Sequence, residues 1–142
     1  MKSLRLTLFL LLLAPCAAFP ADFANLNEAR RMAEQAVGLF SEEKFVEGYD
    51  LLKPYWPLPA AEVDNMANQT LQQWPVIKAR FGASLGVEFV SQTDVGNSLS
   101  QVIILQKFQN HAIRWVFVLY KPQKRWMING VFFDDQLKEL FP

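Results

Sequence analysis

The sequence is poor in the residues that most often carry chemistry. Its 142 residues include one cysteine, Cys16, and one histidine, His111. One histidine and one thiol cannot assemble a multi-histidine metal site, a structural zinc site or a haem ligand pair. The glycine spacings match no phosphate-binding loop, and there is no Gly-x-Ser-x-Gly elbow. We therefore predict no metal, no cofactor and no catalytic residue, with an all-carboxylate metal site left open although no calcium-loop spacing occurs.

An excess of one charge is also missing. Fourteen Lys and Arg balance fourteen Asp and Glu, and the pI is about 6.6. This balance gives no support to nucleic acid or an anionic membrane surface as a partner. The chain is 51% hydrophobic and 13% aromatic, which excludes intrinsic disorder and fits one globular domain at this length.

Long hydrophobic runs are absent beyond the N-terminus, where a basic start, Met1–Arg5, precedes the apolar run Leu6–Ala14. As a helix this run spans roughly 14 Å, under half of a hydrocarbon core of ~30 Å. The pattern is typical of a secretory signal peptide cleaved after Ala18. We predict a signal peptide over residues 1–18, a single domain over 19–142, a periplasmic or secreted location, and no transmembrane segment in the mature chain.

A lipid anchor on Cys16 is the alternative for the same segment. Pro15 directly precedes this cysteine, where lipoprotein signals prefer a small residue, and one acyl chain is a marginal anchor. Cleavage after Ala18 removes the only cysteine together with Lys2 and Arg5, which leaves the mature chain with a net charge of −2.

Apolar residues in the first half of the mature chain recur at helical spacing. They predict a helix around Leu26–Phe40, a shorter helix at Ser41–Leu52 and a third helix whose apolar stripe runs from Val63 to Phe81 and includes Leu71. Pro75 is expected to kink or divide the third helix, and Gly82 to end it.

The second half changes to the period of β-strands. Four short strands are predicted at Leu85–Ser91, Val102–Phe108, Ile113–Tyr120 and Trp126–Phe133. The third is apolar on both faces, so we expect it to be central and covered on both sides. The fold class is α+β, with N-terminal helices packed on a curved four-stranded antiparallel sheet.

The end of the chain supplies the most specific sequence pattern, in Arg114–Lys121, Trp126–Gly130 and Phe132–Asp135. It resembles the terminal hairpin of small exported bacterial proteins in the nuclear transport factor 2-like, or cystatin-like, superfamily. The resemblance covers roughly residues 25–142. It implies a cone-like sheet with a cavity at its wide end. Some members are isomerases or dehydratases, and many bind ligands or dimerise through the sheet, but no catalytic residue transfers because no matching motif is present.

Candidate ligand-binding residues lie on the last two strands: Arg114, Trp115, Tyr120, Trp126 and Asn129. Within a cone, Arg114 would hold a carboxylate or phosphate, and Tyr120 would donate a hydrogen bond. The alternative interpretation is that Arg114 pairs with a surface carboxylate and Tyr120 belongs to the core. The tryptophans are either a ligand platform or core residues.

Paired carboxylates are represented by Asp134 and Asp135. Neighbouring side chains diverge and do not naturally share a proton, so we interpret one of them as the cap of a terminal turn at Leu137–Phe141. We interpret His111 as a turn residue.

The function that fits best is a small exported, non-catalytic domain that binds an unknown small molecule or protein partner and forms a homodimer through the sheet. One alternative is a cone-cavity enzyme with Tyr120 or an acidic residue as its acid–base group. The other is a lipid-anchored envelope protein.

Overall fold

The computed structural model describes residues 21–142. The predicted signal peptide, its cleavage site and Cys16 lie outside the described residues. Three helices precede four strands: α1 Leu26–Ser41, α2 Phe45–Leu52, α3 Ala60–Phe81, β1 Ser84–Val95, β2 Leu99–Phe108, β3 Ala112–Tyr120 and β4 Met127–Asp134. Short 3₁₀ turns occupy Lys53–Tyr55 and Leu137–Leu140. No helix within residues 21–142 is long and apolar enough to cross a membrane.

The four strands form one antiparallel sheet in the order β1-β2-β3-β4. Each strand lies beside its neighbour in the chain, as short connections favour. The predicted α+β class, with helices packed on a four-stranded antiparallel sheet, is confirmed.

The inner face of the sheet carries the core. On β3, Trp115, Phe117 and Leu119 are each at most 1% exposed. The ring of Phe40 from α1 lies 4.5 Å from the ring of Trp115. This aromatic contact joins helix and sheet at the centre of the molecule.

The outer face of the sheet is not covered as predicted. Val116 is buried among its neighbours, but Tyr120 is 38% exposed and Phe132 is 59% exposed. The helices of the described residues pack on the inner face. The prediction that β3 is covered on both sides is therefore wrong for this part of the chain.

The helix boundaries differ from the prediction in two places. The first helix continues through Gly38 to Ser41, and α2 begins only at Phe45. Glu43 makes the turn between them with φ 63°. Pro75 does not divide α3, which is continuous past it. The proline is exposed, so the hydrogen bond that its missing N–H would have made lies on the solvent side of the helix, where its loss is tolerated.

The first hairpin is longer than its apolar residues predict. Polar residues extend β1 as far as Val95, and β2 begins at Leu99. The Ser100 hydroxyl donates to the Asp94 carboxylate at 2.7 Å, which stabilises this polar end of the ladder.

A terminal turn forms at Leu137–Leu140, but Phe141 lies beyond it and is largely exposed, and neither aspartate caps the turn. The residue before the turn is Gln136, and no side chain caps it. Asp134 ends β4 and accepts the Gln136 amide at 2.9 Å. Its carboxylate is mainly engaged by an arginine of β3, described below.

Candidate ligand-binding trough

An open trough separates one face of α3 from the edge of β4. We name it the α3–β4 trough. It consists of two adjoining cavities, of about 200 and 290 Å³, which both contact Phe133. The α3 residues that line the trough follow one another at steps of mostly three or four, as residues on one face of an α-helix do. Its members include Met66, Gln69, Gln73, Val76, Ile77 and Arg80.

The opposite wall of the trough is a strand edge. Val131, Phe132 and Phe133 all line the larger cavity, although successive side chains of a strand point to opposite faces. A cavity that touches three successive residues faces the edge of the strand. β4 is the last strand of the sheet, so its edge lies open to the trough.

The smaller cavity is an apolar pocket. Its walls are Val76, Ile77, Phe81, Ile113 and Phe133, with three charged residues at its rim. Its volume is about 200 Å³, and an apolar cavity of ~150 Å³ is large enough to bind benzene. The pocket is therefore large enough for a small apolar group.

The floor of the larger cavity contains a buried hydroxyl pair. The hydroxyls of Tyr49 and Thr70 lie 3.2 Å apart, and the Thr70 hydroxyl donates to the Met66 carbonyl at 2.9 Å. The Thr70 proton is thus engaged, so Tyr49 is the donor in the pair. Burial raises the pKa of Tyr49, with the Thr70 bond opposing it, and the phenol stays protonated at neutral pH.

A bidentate ion pair closes one end of the trough. Arg114 Nε donates to Asp134 Oδ1 at 2.6 Å, and Nη2 donates to Oδ2 at 3.0 Å. The register that places Arg114 opposite Asp134 brings these side chains together. The guanidinium hydrogen bonds hold the pKa of Asp134 below its usual value. They raise the pKa of Arg114 above its ordinary value.

The histidine and the second aspartate lie beside this pair. The His111 ring packs edge-on against Phe81 at 4.6 Å, and its Nε2 lies 3.5 Å from Asp135 Oδ2. Asp134 and Asp135 thus face different partners, as predicted from their adjacency. Within residues 21–142, no three His, Cys, Asp or Glu side chains are placed to hold one metal ion.

Replacing Asp134 with asparagine is expected to lower the free energy of unfolding by about 1 kcal/mol at pH 7, because a charge-assisted pair is lost. The folded-state pKa of Asp134 is lowered. The stability that its carboxylate contributes is therefore present above the unfolded-state pKa of ~3.9, and it is lost as the pH falls through the folded-state pKa. The unfolding free energies of D134N and wild type in urea should therefore approach each other as the pH falls below the unfolded-state pKa, and they should converge once it is below the lowered folded-state pKa of Asp134.

The control for D134N is Asp22→Asn. Asp22 pairs with Arg125 at 2.6 Å, but both side chains are more exposed, at 37% and 53%. We expect this substitution to change stability by less than about 0.5 kcal/mol. A difference between D134N and wild type that stays constant from pH 7 to pH 3 would contradict the assigned role of the pair.

The five predicted site residues fall into two groups. Arg114 reaches the trough through Asp134, and Trp115 lies behind its wall with its ring 4.7 Å from that of Phe133. Tyr120 is on the outer face, Trp126 is buried at the start of β4, and Asn129 is exposed at a β-bulge. The structure does not bring the second group to the trough.

Tyr120 and Trp126 have separate neighbours. Tyr120 is opposite Met127 in the sheet. Trp126 exchanges two main-chain hydrogen bonds with Phe23, and the Lys121 ammonium lies 5.0 Å above its indole ring.

The sequence prediction missed the helix wall of the trough. It placed Leu71 on the buried stripe of α3, but Leu71 is 41% exposed and Thr70 is buried instead. Val76, which lines the pocket, is 72% exposed. The sequence did contain a signal for this wall. Met66, Val76 and Ile77 make the apolar stripe of α3 wider than contact with the core alone requires.

These features define an α+β domain with an apolar pocket and an open strand edge in one trough. The chain matches no protein-family profile, no curated protein sequence and no solved structure.

Proposed function

We propose that this protein is a small exported, non-catalytic binding domain whose binding element is the α3–β4 trough. The observation that carries the proposal is the apolar pocket of about 200 Å³, which opens between α3 and β4. Apolar pockets with a few polar groups at the rim are typical of ligand sites.

The polar groups of the trough support binding over acid–base catalysis. A general acid or base needs a perturbed carboxyl or imidazole free to exchange a proton with substrate. Asp134 is instead engaged by two guanidinium bonds, and no Asp or Glu of residues 21–142 is buried. Tyr120, the acid–base group of the alternative enzyme function, lies on the outer face away from this pocket.

Membership of the nuclear transport factor 2-like superfamily is part of the proposal. It is supported by the order of elements, three helices followed by an antiparallel four-stranded meander. Export is supported by the N-terminal sequence pattern alone.

A homodimer through the sheet is a second proposal, favoured by apolar exposure on the outer face. Val95, Leu99, Tyr120 and Phe132 are between 38% and 64% exposed there. Exposed apolar patches on a sheet often mark protein contacts. Sedimentation equilibrium would distinguish a dimer from a monomer.

The test of the trough uses N-phenyl-1-naphthylamine, a neutral apolar dye, and the variant Val76→Glu. Because Val76 is 72% exposed, the substitution should leave the fold intact while placing a carboxylate at the pocket. Dye binding would desolvate that charge, so we expect affinity to fall at least ~10-fold, a change of about 1.4 kcal/mol. Fluorescence titration measures the affinity, and urea unfolding checks that the variant is folded.

Leu85→Glu is the matched control. Leu85 is also largely exposed, at 63%, and lies on β1 away from the trough. We expect its dye affinity to stay within about twofold of wild type. The proposal fails if the wild type does not bind the dye, or if both variants lose affinity equally.

A further inference from the structure

We propose that the α3–β4 trough binds an extended peptide, which adds to the edge of β4 as a fifth strand. This inference rests on the proposed binding function and names the chemical class of the occupant. Strand addition combines main-chain hydrogen bonds with pockets for alternate side chains, and the trough offers both.

Hydrogen bonds at the two ends of β3 show which neighbouring strand the N–H and C=O of each β3 residue face. The amide of Phe108 donates to the His111 carbonyl at 2.9 Å, and the amide of Lys121 donates to the Ser98 carbonyl at 2.8 Å. Odd-numbered residues of β3 therefore direct their main-chain groups to β2. By the alternation of antiparallel ladders, the even-numbered residues direct theirs to β4.

The same alternation fixes the free groups of β4. Val116 is opposite Phe132 and Val118 is opposite Gly130, so these even-numbered residues of β4 pair with β3. The N–H and C=O of Val131 and Phe133 consequently face the trough. No hydrogen bond joins them to another main chain on that side within residues 21–142.

Strand addition at this edge already occurs within the chain. Phe23 and Trp126 form an antiparallel bridge with two main-chain hydrogen bonds, of 2.8 and 3.0 Å. The described chain then leaves the edge, because the amide of Ala21 donates to the Pro54 carbonyl. A peptide in the trough would continue this antiparallel pairing along the rest of β4.

The opposite edge of the sheet is less suited to the same role. β1 carries two register shifts, at Ser84/Gly86 and at Phe89/Ser91. Bulges of this kind interrupt a regular ladder and protect exposed edges. Arg30 also covers the ring of Phe89 at 3.7 Å.

The side chains of the trough define the peptide further. Residues opposite Val131 and Phe133 would direct their side chains inward, toward the apolar pocket. Arg80 lines that pocket, and no carboxylate of residues 21–142 lies within ion-pair distance of its guanidinium. The acidic rim residues Asp134 and Asp135 already face Arg114 and His111. The trough therefore favours apolar residues at alternate positions and an acidic residue at the Arg80 end.

The probe is acetyl-Glu-Thr-Val-Thr-Val-Lys-amide, with fluorescein on the C-terminal lysine. In the antiparallel register its valines lie opposite Phe133 and Val131. Its glutamate comes two residues before the first valine, so its side chain points to the same inward face, where Arg80 lines the pocket. Fluorescence anisotropy with the full mature chain should show saturable binding. The same peptide with lysine in place of glutamate should bind several-fold more weakly.

N-methylation of the peptide tests strand pairing without altering the protein. Methylating both valine amides removes the donors to β4, and we expect affinity to fall at least ~10-fold. Methylating both threonine amides modifies groups that face away from β4, toward the exposed Gln69 and Gln73 side chains. That matched peptide should lose no more than about threefold.

The outcomes separate this inference from the proposed function. Equal binding of the two methylated peptides would overturn strand addition, as would failure of the glutamate and lysine probes to differ. If none of the peptides binds while the neutral dye still does, the peptide occupant is wrong and the binding function stands. If neither dye nor peptide binds, the proposed function itself fails.

Discussion

Replacing Trp115 with alanine is expected to lower the free energy of unfolding by about 3–5 kcal/mol, the usual cost of deleting a large buried aromatic side chain. Trp115 is 0% exposed. Its ring lies 4.5 Å from Phe40 of α1 and 4.7 Å from Phe133 of β4. The substitution leaves a cavity at the point where the first helix and the last two strands meet.

A hydrogen bond adds to the cost of losing this indole. Trp115 Nε1 donates to Gln106 Oε1 at 3.0 Å, and the fully buried Gln106 amide donates to the Ser84 hydroxyl at 3.1 Å. Without Trp115, the Gln106 oxygen loses its donor in the core, and a buried group without a partner costs about 1–3 kcal/mol.

Urea unfolding followed by circular dichroism measures this effect, with Trp115→Phe as the control. Phenylalanine retains much of the ring packing but removes the donor, so we expect about half of the alanine effect. A cost below about 1 kcal/mol for W115A would show that the surrounding rings collapse into the space, contrary to the packing described.

The helices of this fold could be predicted from the sequence because each one buries a single periodic stripe. In α1, Ala29, Ala33, Ala36, Val37 and Phe40 recur at helical spacing, and all of them are buried. The start of α1 has equally local causes, since Asn25 accepts the Glu28 amide and Glu28 accepts the Ala24 amide. This reciprocal capping is encoded within a few residues.

The trough could not be predicted in the same way, because it depends on distant parts of the chain. Val76 lies on α3 and Phe133 on β4, and no local pattern states how far apart those elements lie. The pair of Arg114 and Asp134 likewise depends on the β3–β4 register, which includes a bulge between Val118 and Leu119. Moving the register by one residue would separate these two side chains.

The outer face of β3 shows a different limit of sequence patterns. Alternation identified both faces as apolar, and the inner residues are indeed buried. On the outer face, however, Tyr120 remains 38% exposed. An apolar pattern indicates that burial of a face is energetically favourable. It does not indicate whether the residues that bury this face belong to the same chain.

The second prediction with a large effect concerns Gly48, whose replacement with valine should lower the free energy of unfolding by about 3 kcal/mol. Gly48 is buried within α2. A Cβ at this position would lie 2.4 Å from Cε1 of Phe40 and 3.2 Å from the Ala36 carbonyl oxygen. The glycine therefore sets how closely α1 and α2 approach each other.

The clashing ring has little room to move. Phe40 is 0% exposed and is surrounded by the rings of Phe45, Tyr49 and Trp115 at 5.9, 5.0 and 4.5 Å. Replacing glycine inside a helix normally gains up to about 1 kcal/mol of helix propensity. Here the overlap with a locked core ring exceeds that gain, so the net effect is destabilising.

Gly38→Val is the matched control, because Gly38 also lies within a helix but a Cβ added there would have no neighbouring atom within 4 Å. There only the propensity difference remains, and we expect stability to change by less than about 0.5 kcal/mol. Urea unfolding of the two variants compares the same chemical change in two surroundings. Equal effects would mean that Phe40 can leave its position freely, and the aromatic junction that joins α1, α2 and the sheet would then be looser than its contacts indicate.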